Sequence, residues 1–308
     1  MSTSSRIITI DCQYIQKEFA ASYLRIEGEQ AVFIETNTTH SVPLLLKQLK
    51  DEGLDPENVK YVIITHVHLD HAGGTAALMQ ICKNAKLLAH PKAARHMINP
   101  EKLISSARKV YGEKLFDELY GVIGSIDPSR VQVIDDGQEV LVNDSVLKFI
   151  YTKGHATHHF SIVDEKNDAV FTGDTFGLFY PILQKEGFFI LPSTSPTDFD
   201  PKEALISFKK IADLSVQKVY PTHFGIMGEK TKAYRMLVEQ MGFYEQLQKK
   251  YHDSQLDQKG LKEILFKELI KFYQMKYPKI DLSYLDLDLK INADGIAYSI
   301  KKVQSDFS

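Results

Sequence analysis

A chain of 308 residues, 44% of them hydrophobic and 25% charged, is long enough for one large domain or two of ordinary size, each with a real core. The formal net charge of -3 comes without a Lys/Arg stripe, which removes the electrostatic basis for a nucleic-acid partner. Cys12 and Cys82 are the only cysteines and have no CxxC spacing, so neither a disulfide framework nor a thiolate zinc site is expected. Residues Met1-Ser2-Thr3-Ser4-Ser5-Arg6 lack the apolar core of a signal peptide, and no run reaches the length of a membrane span. A cytoplasmic protein with no membrane partner is expected.

In chain order, strand-like runs fall at Arg6–Ile10, Ala21–Glu27, Ala31–Thr36, Tyr61–Thr65, Lys86–His90, Val131–Ile134, Val146–Tyr151, Phe160–Asp164 and Ala169–Thr172. Helical patterns lie between them at Ser41–Glu52, Gly73–Cys82 and Glu101–Tyr120, followed by Pro201–Leu214, which Asp200 caps and Pro201 opens. Antiparallel-looking strand blocks flanked by helices point to an α+β protein with two sheets between helical layers, not to a doubly wound parallel sheet. From Lys230 the texture changes. Lys230–Lys250 and Leu261–Tyr277 read as amphipathic helices broken by Pro278, and Leu289–Val303 as a third. We therefore place a catalytic domain at 1–228 and a helical extension at 229–308, whose packing faces allow a homodimer and which supplies no metal ligand.

The densest chemistry follows the apolar run Tyr61-Val62-Ile63-Ile64. The segment Thr65-His66-Val67-His68-Leu69-Asp70-His71-Ala72-Gly73-Gly74 holds three imidazoles and a carboxylate within six positions. In extended backbone, side chains at i and i+2 point the same way, so His66 and His68 can grip one ion. Asp70 and His71 fall where the chain turns into a helix, and Gly73-Gly74 removes bulk there, leaving room for a second ion. An isolated histidine is usually a surface or core residue; a cluster of this density is not. Three further segments end strand-like runs: Tyr151-Thr152-Lys153-Gly154-His155-Ala156-Thr157-His158-His159, Val170-Phe171-Thr172-Gly173-Asp174-Thr175, and Val219-Tyr220-Pro221-Thr222-His223-Phe224-Gly225. Each is weak alone; together with the first they form an ordered set.

That order, HxHxDH followed by GH, GD and TH segments across about residues 6–228, resembles the metallo-β-lactamase superfamily. The resemblance implies the αββα sandwich, with two mixed sheets between helical layers. It also implies that His66, His68 and His155 hold one metal, that Asp70, His71 and His223 hold another, and that Asp174 bridges them. His159 occupies the place of a supporting histidine, and His158 replaces the usual glycine. Glu35 stands where relatives usually carry Asp and is expected to hydrogen-bond beside the site. The stretches Arg95–Pro100, Lys109–Gly112 and Ser195–Asp200 resemble an uncharacterised subgroup and mark kinship, not substrate.

The implied cofactors are two divalent metal ions, zinc first, with iron and manganese compatible with the same ligands. The expected reaction is hydrolysis of an ester, lactone or thioester by a metal-bridging hydroxide, as in glyoxalase II or acyl-homoserine lactonases, with Asp70 orienting the nucleophile and carrying its proton. Tyr180 is the candidate to hydrogen-bond the substrate carbonyl, with a core tyrosine as the competing reading. The aromatic stretches Phe176–Ile182 and Phe188–Leu191 suggest a small-molecule substrate with an apolar acyl part. The alternatives are a di-iron redox or oxygen-binding protein of the same fold, against which His68 stands where flavodiiron proteins typically carry Glu, and a metal-bearing binding protein without turnover.

Overall fold

The computed structural model describes residues 3–306, which fold as two compact units. The first comprises residues 3–151, 158–173 and 215–228, and the second comprises 152–157, 174–214 and 229–306.

The first unit holds both sheets. One has the order β1 (Ser5–Asp11), β2 (Ala21–Glu27), β3 (Gln30–Ile34), β4 (Val59–Ile63), β5 (Lys86–Ala89), β6 (Val131–Val133). Its first three strands are antiparallel, and β3 to β6 run parallel. The sheet is thereby mixed, as the resemblance implied, with its parallel half in β3 to β6. Parallel neighbours need long crossovers, and the helices between these strands supply them: α1 (Val42–Asp51), then α2 (Leu69–Ala72) and α3 (Thr75–Ile81), then α4 (Pro91–Ile98), α5 (Glu101–Tyr111) and α6 (Glu113–Tyr120). The single helix expected over Glu101–Tyr120 is two, because Gly112 sits at φ +76°, where a right-handed helix cannot continue. The helix α4 adds to those read from the sequence; its Pro91 occupies a first-turn position, and His90 Nδ1 accepts the Lys92 amide.

The second sheet has the order β11 (Lys218–Pro221), β10 (Ala169–Gly173), β9 (Phe160–Asp164), β8 (Ser145–Tyr151), β7 (Glu139–Val142), with β11 parallel to β10 and the rest antiparallel. Both sheets are therefore mixed, as the α+β sandwich requires. Successive residues of the first sheet serve opposite faces. Tyr23, Val32, Ile63 and Leu88 meet Leu147, Phe149, Phe160 and Phe171 of the second sheet. Their neighbours Leu24, Phe33, Val62 and Leu87 meet Leu45, Leu49, Leu78 and Met97 of the helices. These strands are apolar on both faces because both are covered, each fully buried large side chain contributing about 1.5–3 kcal/mol. Buried charge also joins the sheets: fully buried Arg25 on β2 donates Nε to Asp164 on β9 at 2.8 Å and pairs with Glu27 at 2.9 Å.

The second unit is mainly helical: α7 (Pro201–Asp213), α8 (Lys230–Tyr251), α9 (Gln258–Lys276) and α10 (Asp286–Asp306). Asp200 caps α7 by accepting the Lys202 and Glu203 amides, as the sequence predicts. Gly295 lets α10 approach Thr194, since a Cβ there would strike the Thr194 side chain. A buried polar network ties the helices to the 190–194 segment. Tyr273 donates to Gln240 at 2.6 Å, Gln240 Nε2 to the Ile190 carbonyl at 2.8 Å, and Asn292 Nδ2 to the Pro192 carbonyl at 2.8 Å. Among the described residues no helix is long and apolar enough to cross a membrane.

Candidate metal centre

The first cluster is assembled where parallel strands end. β3 stops because Glu35 turns to φ +64°, and the Glu35 amide bonds the Ile63 carbonyl at the end of β4 at 2.8 Å. The Glu35 carboxylate then reaches across both strand ends: Oε1 accepts the Thr65 amide at 2.7 Å, and Oε2 lies 2.7 Å from His71 Nδ1. The residues after Glu35 hold the motif's backbone. Thr36 N–H donates to the His71 carbonyl at 2.8 Å, and Asn37 Nδ2 to the Asp70 carbonyl at 2.8 Å. Gly74 is required by this grip, because a Cβ would lie 2.7 Å from the Thr36 and Thr38 carbonyl oxygens. Thr36 and Asn37 carry no motif signal, and sequence reading missed them.

The histidines are oriented by what their Nδ1 atoms bind. An ionised carboxylate only accepts, so Glu35 fixes the proton on His71 Nδ1 and turns the Nε2 lone pair inward. His223 follows the same rule: its Nδ1 donates to the Phe19 carbonyl at 2.7 Å. The inward Nε2 atoms lie 3.8 Å (His71) and 3.4 Å (His223) from Asp70 Oδ2. These separations are too long for good hydrogen bonds, but two ligands at about 2.1 Å on one tetrahedral ion stand about 3.4 Å apart. Asp70, His71 and His223 thus present two imidazole lone pairs and a carboxylate oxygen, all within 4.8 Å of one another, a donor set suited to a cation.

His66 and His68 meet as the i, i+2 spacing predicts, with Nε2 of one 2.9 Å from Nδ1 of the other. They lie in the loop after β4 instead of within the strand. The His159 ring is buried with its centroid 5.0 Å from that of His66, and His158 stands edge-on to His68 at 5.7 Å. Gly173, at φ +49°, makes room for this stack: a Cβ would strike the Thr65 hydroxyl and lie 2.5 Å from His159 Nε2.

In the second unit, His155 Nε2 lies 3.6 Å from Asp174 Oδ2, while Nδ1 faces the Ser193 carbonyl at 3.4 Å and its hydroxyl at 3.2 Å. Ser193 Oγ also donates to Asp174 at 3.2 Å. The His155 loop is held by the kinship segment: Ser195 Oγ donates to the His155 carbonyl at 2.7 Å, and Asp198 accepts the Thr157 amide at 2.6 Å. Asn292 of α10 binds on both sides of Ser193, through the Pro192 carbonyl and the Thr194 amide, the latter at 2.9 Å. Neither Ser193 nor Asn292 is legible in the sequence. Tyr180 is fully buried, and its hydroxyl donates to Asp288 of α10 at 3.2 Å. Burial first, then the Asp288 carboxylate, hold that phenol well above its usual range.

A two-sheet sandwich whose strand-end loops gather imidazoles and carboxylates defines a class of His/Asp-rich α+β proteins. A sequence profile of the Metallo-beta-lactamase superfamily matches residues 18–223, more than half of the chain, and the chain belongs to that superfamily. Its relatives include the metallo-beta-lactamase fold-containing protein ST1585 of Sulfurisphaera tokodaii, 29% identical over 56% of this chain and 64% of its own. A beta-lactamase-like protein 2 homolog of Caenorhabditis elegans is 26% identical over 66% of this chain and 55% of its own. An atrochrysone carboxyl ACP thioesterase of Aspergillus fumigatus is 27% identical over 55% of this chain and 39% of its own. The chain thus spans less than two thirds of the length of the curated relatives it matches. In structure, the crystal form of the archaeal ST1585 protein overlays with a TM-score of 0.64 at 22% identity, covering 96% of this chain and 98% of its own. A metallo-beta-lactamase family protein from Thermus thermophilus gives 0.64 at 18% identity, covering 98% and 94%. At these identities the overlays speak for the fold.

Proposed function

We propose that the chain is a metal-dependent hydrolase of an ester, lactone or thioester, working with two divalent ions. In this reading His66, His68 and His155 hold the first ion, Asp70, His71 and His223 the second, and Asp174 both. The observation that carries it is the convergence of Asp70 with two histidines whose Nδ1 protons are already committed to Glu35 and to the Phe19 carbonyl. Such a set turns two imidazole nitrogens and a carboxylate oxygen toward one point, which suits a cation. The donor types fit zinc, iron or manganese.

When bound, such ions supply Lewis acidity and make a water acidic enough to ionise near neutral pH. The chain's own residues do the rest. Asp70, the half-buried member of its trio, with 26% of its side chain exposed, is placed to orient a water and carry its proton to the leaving group. Glu35 keeps His71 in one tautomer. Ser193 steadies His155 and Asp174 from one hydroxyl. The thioester class is favoured because one of the relatives is named as an acyl-carrier thioesterase.

The test is metal analysis of the purified protein followed by a hydrolysis screen of thioesters, lactones, esters, phosphodiesters and β-lactams. About two ions per chain and turnover in the first three classes are expected. Protein that carries its metal, hydrolyses none of them, and consumes oxygen with a change of iron valence would overturn the proposal in favour of the di-iron alternative.

A further inference from the structure

A chain of aromatic rings leads from the metal cluster to the surface within the first unit. It starts at Phe19, whose carbonyl binds His223 and whose ring stands edge-on to the His223 ring at 5.5 Å. The next ring is Tyr14, 6.2 Å from Phe19, then Tyr120, 6.3 Å from Tyr14, then Tyr111, 5.5 Å from Tyr120. Tyr120 is buried, and Tyr111 is 38% exposed. Burial, with the Asp70 charge adding to it, holds all three phenols above their usual range.

Two elements build this wall. The loop after β1 places Gln13, Ile15 and Glu18 at positive φ, a conformation L side chains rarely adopt, and Asp11 clamps it by accepting the Gln13 and Glu18 amides at 2.9 and 3.1 Å. Strain held in place this way is typical of ligand-contacting loops. The α5–α6 corner is the other element, stapled by Arg108, which pairs with Asp117 at 2.6 Å and lies 4.3 Å over the Phe116 ring. On the chain segments that carry the rings, Ile15 (52%), Leu115 (44%) and, just after α6, Val122 (80%) are exposed, an apolar rim to these two elements.

We propose that Tyr14, Tyr111 and Tyr120 are the specificity wall for the acyl half of the substrate, and that they select an aromatic acyl group. Rings packed edge-on and tilted accept a further ring in the same geometry, each such contact favouring it over an alkyl chain of equal area by about two- to tenfold. The wall also offers polarity. Tyr14 donates to the Tyr120 oxygen at 3.3 Å. A phenol both donates and accepts, so a hydroxyl of the wall can meet an oxygen on the ring being bound.

The inference rests on the hydrolase reading, and its test separates the two. Wild type, Tyr111→Ala and Tyr111→Phe are compared on N-acetylcysteamine thioesters of 2-naphthoate and octanoate, and the free acids are titrated onto each protein by calorimetry. Wild type is expected to prefer naphthoyl over octanoyl in kcat/KM. Tyr111→Ala should lower that ratio at least fivefold, mainly through the naphthoyl KM, and Tyr111→Phe should restore it (expected from about two- to tenfold per ring contact). Binding of 2-naphthoate should weaken in parallel while octanoate binding follows the rim alone. An unchanged ratio together with unchanged naphthoate binding in Tyr111→Ala overturns the wall. Naphthoate binding that depends on Tyr111, in a protein that hydrolyses no thioester, lactone or ester, upholds the wall and removes the hydrolase reading instead.

Discussion

Glu35 Oε2 lies 2.7 Å from His71 Nδ1 while its other oxygen accepts the Thr65 amide at the same distance, both groups being buried. One carboxylate thus sets the tautomer of a candidate ligand and fixes the first residue of the histidine motif.

Glu35→Gln keeps an oxygen for the Thr65 amide but presents an NH2 group to His71 Nδ1. That forces the His71 proton onto Nε2, the atom aimed at the cluster. Metal affinity is expected to fall about 10–100-fold with only a small change in thermal midpoint. Competition with a chromophoric chelator measures it, and undiminished affinity would remove the supporting role.

Asp70→Asn preserves volume and removes the charge that stands 3.4 Å from His223 and 3.8 Å from His71. Turnover should fall about 10²–10⁴-fold, with metal held by His66, His68 and His155 retained. Turnover near the wild-type rate with both ions measured as bound would sink the proton-carrying role.

Tyr180→Phe and Asn292→Ala probe the second unit. The Tyr180 hydroxyl serves Asp288, and its loss leaves a buried carboxylate short of a donor, which costs about 1–3 kcal/mol of stability. A small effect on kcat is expected; a tenfold or larger loss in a fully metal-loaded, folded variant would instead assign the hydroxyl to the substrate carbonyl. Asn292→Ala removes the bonds flanking Ser193. It should lower both stability and metal content, and truncation after Gly228 should do so more severely, because α8 and α10 hold the 190–194 segment through Gln240 and Asn292.

Acid stability should depend on Glu27. Burial raises its pKa, but hydrogen bonds from Lys166, Ser145 and Arg25 together outweigh burial and leave the carboxyl below its usual range. A folded-state pKa below the unfolded one stabilises the protein at pH values above the unfolded value, about 4.3. The contribution is lost as pH falls through the lower folded value. Glu27→Gln should therefore cost more stability at pH 7 than at pH 3, as read from urea midpoints across that range. An equal cost at both pH values would deny the carboxylate its role.

By itself the sequence determined the strand-end position of the candidate ligands, because an apolar run followed by closely spaced histidines has one sensible reading, and the order of the four segments identified the superfamily. It also located the helices of the last third, since amphipathic periodicity is local and Pro201 and Pro278 punctuate it. Tertiary structure alone decided that β3 to β6 run parallel, because strand direction depends on where the intervening helices return the chain. It also decided which groups orient the candidate ligands: the Phe19 carbonyl, Thr36, Asn37, Ser193 and Asn292 act through hydrogen bonds across 19 to 204 positions of chain. Such contacts have no period and no motif. They exist only once the sheets have stacked and buried polar groups must find the partners that folding has brought beside them.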